Sequence, residues 1–153
     1  MANSYSQLYV QTVFAVKNRQ SLIIPKAKDR IEKYICGIAS HIKCKPISIY
    51  CNPNHVHLFV SIKPVVSIAN AIRDIKSFSS RFINENHLVK EHFEWQTGYG
   101  AFSYGQSQIE VVKAYIANQY NHHKRQSFME EYLALLAAFQ VDYDDSYLFE
   151  GLD

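Results

Sequence analysis

The stretch PNHVHLFVSI, residues 53–62, sets two imidazoles, His55 and His57, on either side of one valine at the head of an apolar run. Alternate side chains of an extended strand share a face, so both rings point the same way and can reach one ion. The plainer reading is a polar strand start in contact with water, and a His-x-His pair alone does not decide between the two. Two ligands do not complete a site. The segment SQIEVVKAYIANQYNHH, residues 107–123, carries Tyr115 and Gln119, four apart and so on one side of a helix. A glutamine carbonyl can ligate a hard cation, and a phenol hydroxyl can act as a nucleophile. The plainer readings are a packed core aromatic for Tyr115 and a solvated helix residue for Gln119. Adjacent helix positions do not face one another, so His122 and His123 are not expected to join one ion together. Both read as surface or phosphate-facing residues. Tyr120 points about 100° away from Gln119 and is the weaker nucleophile candidate.

Several elements must position these groups. Residues 7–16 alternate as a strand, with Leu8, Val10, Thr12, Phe14 and Val16 on one face and Tyr9, Gln11, Val13 and Ala15 on the other. Pro25 suits a first helical turn, and Ile31, Tyr34, Ile35, Ile38 and Ile42 carry a helix to about residue 43. KPISIYC and HVHLFVSI read as strands joined by the turn NPN. Ser67 is placed to cap a second helix that buries Ile68, Ile72, Ile75, Phe78 and Phe82. After an irregular stretch, AFSY reads as a short strand. Ser107 with Glu110, and Ser127 with Glu130, have the form of capping boxes before two more helices. In EWQTGYGAF, Trp95 and Phe102 read as packing residues, with the glycines making turns.

The order strand, helix, strand, strand, helix, strand predicts an α+β, ferredoxin-like (split βαβ) antiparallel sheet. Two helices cover one face, and additional C-terminal helices are available for the other. Val56, Leu58, Val60 and Ile62 belong against the first two helices, which leaves the histidines on the opposite face.

Composition sets the outer bounds. With 153 residues, 48% hydrophobic and 20% charged, the chain is expected to form a single globular domain, 1–153, with 126–153 an acidic C-terminal helical extension. No apolar run has the length of a membrane helix, and MANSYSQLYVQ lacks the form of a signal peptide. Cys36, Cys44 and Cys51 have no C-x-x-C spacing, which points to reduced thiols and a cytoplasmic location. All 16 Lys and Arg lie in residues 1–125, where the net charge is +9, whereas residues 126–153 carry −7. Such an asymmetry suits a polyanionic partner for the basic body, or a basic surface with the tail lying across it. Lys17, Arg19, Arg73, Lys76, Arg81, Lys124 and Arg125 are the candidate residues for holding such a polyanion; for each one singly, a solvated surface position is the simpler reading.

NHVHLFVSI, IRDIKSFSSRFI, WQTGYGAFSY, YIANQ and HHKRQSFMEEYLALL resemble, in that order, segments of the HUH-class single-tyrosine transposases. These are the TnpA-type enzymes of small bacterial insertion sequences and the REP-associated tyrosine transposases. The similarity runs from VFAVKNRQ to YDDSYLFE. It implies that His55 and His57 are metal ligands, Gln119 the third ligand and Tyr115 the catalytic nucleophile. It also implies Mg2+ or Mn2+ as cofactor, hairpin-bearing single-stranded DNA as substrate, and a homodimer in which the tyrosine helix of one subunit often serves the other. Two departures stand out. Asn54 occupies a position where many relatives carry an acid and is not counted as a ligand. Tyr104 and Gly105 replace smaller or different residues before the tyrosine helix.

Two other functions fit parts of the pattern. An RRM-like nucleic-acid-binding module would present aromatics such as Phe59 on the open sheet face. A metal-dependent phosphodiester hydrolase would use His55 and His57 with Tyr115 incidental.

Overall fold

The structure is a computed structural model that describes residues 4–144 and 148. Four strands, β1 (Leu8–Ala15), β2 (Cys44–Cys51), β3 (His55–Ile62) and β4 (Gly100–Tyr104), form one antiparallel sheet in the order β2-β3-β1-β4. Helix α1 (Pro25–His41) joins β1 to β2, and α2 (Ile68–Glu85) joins β3 to β4. This is the split βαβ plan expected from the element order. Three shorter helices follow: α3 (Ile109–Ala117), α4 (Gln119–His122) and α5 (Phe128–Ala138). Among the described residues, no helix is long and apolar enough to cross a membrane.

Strand alternation sorts the core as expected. Val10 and Phe14 of β1 and Val56, Leu58 and Val60 of β3 are buried with Ile31 and Ile35 of α1 and Ile72, Ile75 and Ile83 of α2. Ser67 caps α2, its Oγ accepting from the Asn70 amide at 3.2 Å. Phe78 departs from its expected burial: it is 44% exposed, since the α2 stripe that meets the sheet runs through Ile75, Ser79 and Ile83. Phe82 instead stacks on Tyr34 of α1, ring centroids 3.9 Å apart.

The second sheet face is covered too. Phe59 packs with Val112 and Ile116 of α3, and Val13, Ala15 and Phe102 pack with Phe128, Tyr132 and Leu136 of α5. Tyr132 lies so close to β4 that a Cβ on Gly100 would stand 2.8 Å from its ring, so any larger residue there must displace the ring. Trp95 packs against Phe14 and donates from Nε1 to Ser79 Oγ at 2.9 Å, which fixes the irregular stretch before β4.

Two helix starts differ from the sequence expectation in opposite ways. At Ser127 the capping box forms as anticipated, with Ser127 Oγ accepting from the Glu130 amide at 3.1 Å. At the other, Ser107 is not the cap. A 3₁₀ turn over 106–108 precedes α3, and Gln108 Oε1 accepts from the Gly105 amide at 3.0 Å. The expected single helix through 107–120 is also broken at Asn118 (φ −95°, ψ 17°), which separates α3 from α4. Part of YDDSYLFE, residues 145–147, 149 and 150, lies outside the described residues.

Candidate active site

His55 and His57 open β3, the central strand beside β1, and both rings are fully buried on the face away from α1 and α2. Gln119 begins α4 and is buried as well; Tyr115 lies in the last turn of α3. All four expected site residues therefore meet in one place within one chain. His57 and Tyr115 stand edge to face with centroids 5.9 Å apart.

Two residues join them that the sequence reading did not place there. Glu131 of α5 is buried, although it belongs to the acidic extension. Its Oε1 lies 2.9 Å from His57 Nε2, 3.2 Å from His123 Nε2 and 3.4 Å from His55 Nε2. Its Oε2 accepts from the Tyr115 hydroxyl and, at 3.1 Å, from Gln119 Nε2. His123 is the second newcomer, brought inward by the break at Asn118, with Gln119 Oε1 3.0 Å from its Nε2. His123, read from the sequence as a surface or phosphate-facing residue, is half-buried and turns its Nε2 into the cluster. His122 packs its ring on Tyr115, centroids 4.7 Å apart. Tyr120 points outward, 65% exposed.

Every imidazole in the cluster is anchored through its other nitrogen. His57 Nδ1 donates to Gln11 Oε1 at 2.7 Å, His55 Nδ1 to Asn54 Oδ1 at 2.7 Å, and His123 Nδ1 to the Gln126 carbonyl at 2.9 Å. Such bonds fix the tautomer and leave Nε2 with a lone pair directed at the centre. Asn54 thus orients a histidine from outside the cluster. Asn52 Nδ2 donates to both His55 Nε2 and Gln119 Oε1 at 3.1 Å. Phe128 stacks on the His55 ring at 3.9 Å.

Burial dominates the electrostatics. It lowers the His55 imidazole to about 3, against the opposing pull of Glu131, so the ring is neutral. Burial raises the Tyr115 phenol far above its ordinary value, and the facing Glu131 carboxylate adds to the effect. Burial also pushes the Glu131 carboxyl upward, but the surrounding imidazoles of His123, His55 and His57 outweigh it and hold the group well below the usual carboxylate range. The ligand atoms of His55, His57, His123 and Glu131 all lie within 4.8 Å of one another, a nitrogen-and-oxygen donor set suited to a divalent metal ion.

The candidate DNA-binding residues are dispersed. Lys124 and Arg125 line a groove of about 430 Å³ with Asn52, Asn54 and His123, next to the cluster. Lys124 also lies 4.4 Å from the centre of the Tyr120 ring. Arg73 is exposed on α2 and bonds Asp74, and Arg81 lies over Phe78. Lys17 pairs with Glu94 at 3.0 Å. Lys76 turns inward and donates to the Gln96 and Gly98 carbonyls at 2.7 and 2.6 Å, and Arg19 is 9% exposed. Lys76 thus braces the loop before β4, and Arg19 is buried.

The four-stranded ferredoxin-like sheet is the fold of a tyrosine transposase, and here it sets paired histidines on β3 near a tyrosine on a following helix. The chain belongs to the IS200-like transposase family, whose pattern matches residues 4–119. It is 22% identical over 120 residues to the ISDra2 transposase TnpA of Deinococcus radiodurans, a match covering 75% of this chain and 86% of that protein. A crystal structure of a candidate transposase from Deinococcus radiodurans R1 superposes with a TM-score of 0.62 at 21% identity, over 78% of this chain and 95% of the other. A REP-associated tyrosine transposase bound to a REP hairpin superposes with a TM-score of 0.60 at 13% identity, over 100% and 96%. At these identities the superpositions speak for the fold.

Proposed function

We propose that this transposase cleaves and rejoins single-stranded DNA at hairpin-flanked element ends, with Tyr115 as nucleophile. The observation that carries the reading is the meeting of Tyr115 with His55 and His57 around one carboxylate, Glu131. Three segments far apart in sequence bring a phenol hydroxyl and an ion-binding donor set together, which a binding module does not need. The RRM-like alternative loses its exposed aromatic, because Phe59 is buried beneath α3.

In the reaction, the Tyr115 oxygen bonds to phosphorus as the bond to the 3′ oxygen breaks. The products are a 5′-phosphotyrosine and a free 3′-hydroxyl. Reversal by an incoming 3′-hydroxyl rejoins the strand without ATP, since the phosphodiester energy is kept in the covalent bond. Mg2+ or Mn2+ on His55, His57 and Gln119 would supply Lewis-acid polarisation of the phosphate and offset its charge. Gln11 and Asn54 orient the two imidazoles. Lys124 and Arg125 are placed to hold backbone phosphates on the approach to the site.

The working unit in this reading is the whole span 1–153, acting in the cytoplasm as a homodimer. Tyr115 serves either the histidines of its own chain, as arranged here, or those of a partner copy. The test is incubation with single-stranded DNA carrying the flanking hairpins, with and without Mn2+, scored for a covalent adduct. The wild type should form the adduct only with metal, and Tyr115→Phe should form none. Cleavage without an adduct would indicate a hydrolase, and no cleavage at all a binding module. Mixing Tyr115→Phe with His57→Ala restores cleavage only if the tyrosine acts across the dimer.

A further inference from the structure

The ion-binding reading above invokes His55, His57 and Gln119, yet Glu131 and His123 stand as close to the centre as any of them. Three Nε2 atoms, from His55, His57 and His123, surround Glu131 Oε1 at 2.9 to 3.4 Å. Each ring has already committed its Nδ1–H to an oxygen. In neutral rings the His57 and His123 Nε2 lone pairs therefore face a carboxylate lone pair, with Gln119 Oε1 a further acceptor at 3.0 Å from His123 Nε2; His55 Nε2 faces the carboxylate too, and Asn52 Nδ2 donates to it and to Gln119 Oε1. Converging acceptors in a buried site repel unless a cation stands among them. One proton can serve one of these contacts at a time, whereas a divalent ion serves them all.

We propose that Glu131 and His123 are ion ligands, so that one divalent ion ties the C-terminal helix α5 to β3 while the free Glu131 oxygen holds the Tyr115 hydroxyl. The proposal rests on the metal-assisted reading above and extends it to residues of the acidic extension. Three imidazoles with one carboxylate form a harder match for Mg2+, which prefers oxygen ligands and bound water, than for Mn2+ or a later transition metal. The carboxylate also brings the site to a net +1, where histidine and glutamine ligands alone would leave +2. Glu131 then spans the ion and the nucleophile, and α5, through Phe128 on His55 and Tyr132 on Gly100, is the element that delivers it.

The test uses the full chain, with metal binding read by calorimetry and α5 order by amide hydrogen exchange. Wild type should bind one Mn2+ per chain, at least about tenfold tighter than Mg2+, and the ion should slow exchange of amides 128–138. Glu131→Gln, which keeps the shape of the side chain, and His123→Ala should each weaken Mn2+ binding at least about tenfold and remove the ion-dependent protection. Without metal, Glu131→Gln should melt no lower than wild type, whereas a carboxylate with a merely structural role would cost stability when removed. His123→Ala carries the test by itself if Glu131→Gln does not fold. If both variants bind Mn2+ like wild type while His55→Ala does not, the proposal fails and the reading of function stands. If wild type binds no divalent ion, both the proposal and the metal-assisted reading fail.

Discussion

Gln11 of β1 and His57 of β3 are joined across the sheet, Gln11 Oε1 accepting from His57 Nδ1 at 2.7 Å. Gln11 is held in turn by Tyr104 of β4, whose hydroxyl oxygen accepts from Gln11 Nε2 at 2.9 Å. The bond keeps the His57 Nε2 lone pair on the centre of the cluster. Gln11→Leu should leave the sheet intact and weaken Mn2+ binding about 10–100-fold, the usual loss when such an orienting partner is removed. Calorimetry on the purified variant checks it; unchanged affinity would mean that packing alone sets the ring.

Gly100 and Tyr132 give a test of how α5 is seated. A methyl group on Gly100 would meet the Tyr132 ring at 2.8 Å. Gly100→Ala should therefore destabilise the protein by about 1–3 kcal/mol, the ordinary cost of overpacking. Urea unfolding reads the loss. Amide exchange in 128–138 should speed up before exchange in β3 does, because the clash falls on the α5 side of the sheet.

Lys76 carries a pH prediction. Burial lowers its ammonium from 10.5 to about 8. Between those values the unfolded chain retains a proton that the folded chain has released, so the Lys76 contribution to stability rises with pH. Below about pH 8 both states are protonated and the contribution is level. The stability difference between wild type and Lys76→Met should thus move in favour of wild type from pH 8 to 10.5. A flat difference over that window, measured by urea midpoints, would show that the Gln96 and Gly98 carbonyls keep the group charged.

The groove beside the cluster makes a prediction in salt. If Lys124 and Arg125 each contact one backbone phosphate, Lys124→Ala with Arg125→Ala should lower the slope of log affinity against log salt by about 0.7 per contact on single-stranded DNA. Lys76→Met should leave the slope unchanged, since its ammonium is turned onto the Gln96 and Gly98 carbonyls.

Local pattern carried much of this architecture. Period-two alternation in residues 8–16 and 55–62 assigned the correct face to each strand residue, because a pleated strand leaves side chains no other choice. The Ser67 and Ser127 caps were legible because capping is a contact between residues three apart. His123 was misplaced since an unbroken helix was assumed, and Asn118 interrupts it. Glu131 had one faint signal: it falls three residues after Phe128 and four before Leu135, on the apolar side of its helix. The charge count hid that signal by placing it in an acidic segment.

The sequence by itself determined the strand and helix order and the common face of His55 and His57. These depend on short-range periodicity and backbone sterics. Only the tertiary structure decided that α5 lies across the second sheet face and lowers Glu131 among three imidazoles. That placement depends on Phe128, Tyr132 and Leu136 finding Val13, Ala15 and Phe102, contacts between segments distant in sequence. Neither spacing nor composition encodes which buried surface a helix will meet, so a residue counted only as part of an acidic segment sits at the centre of the site.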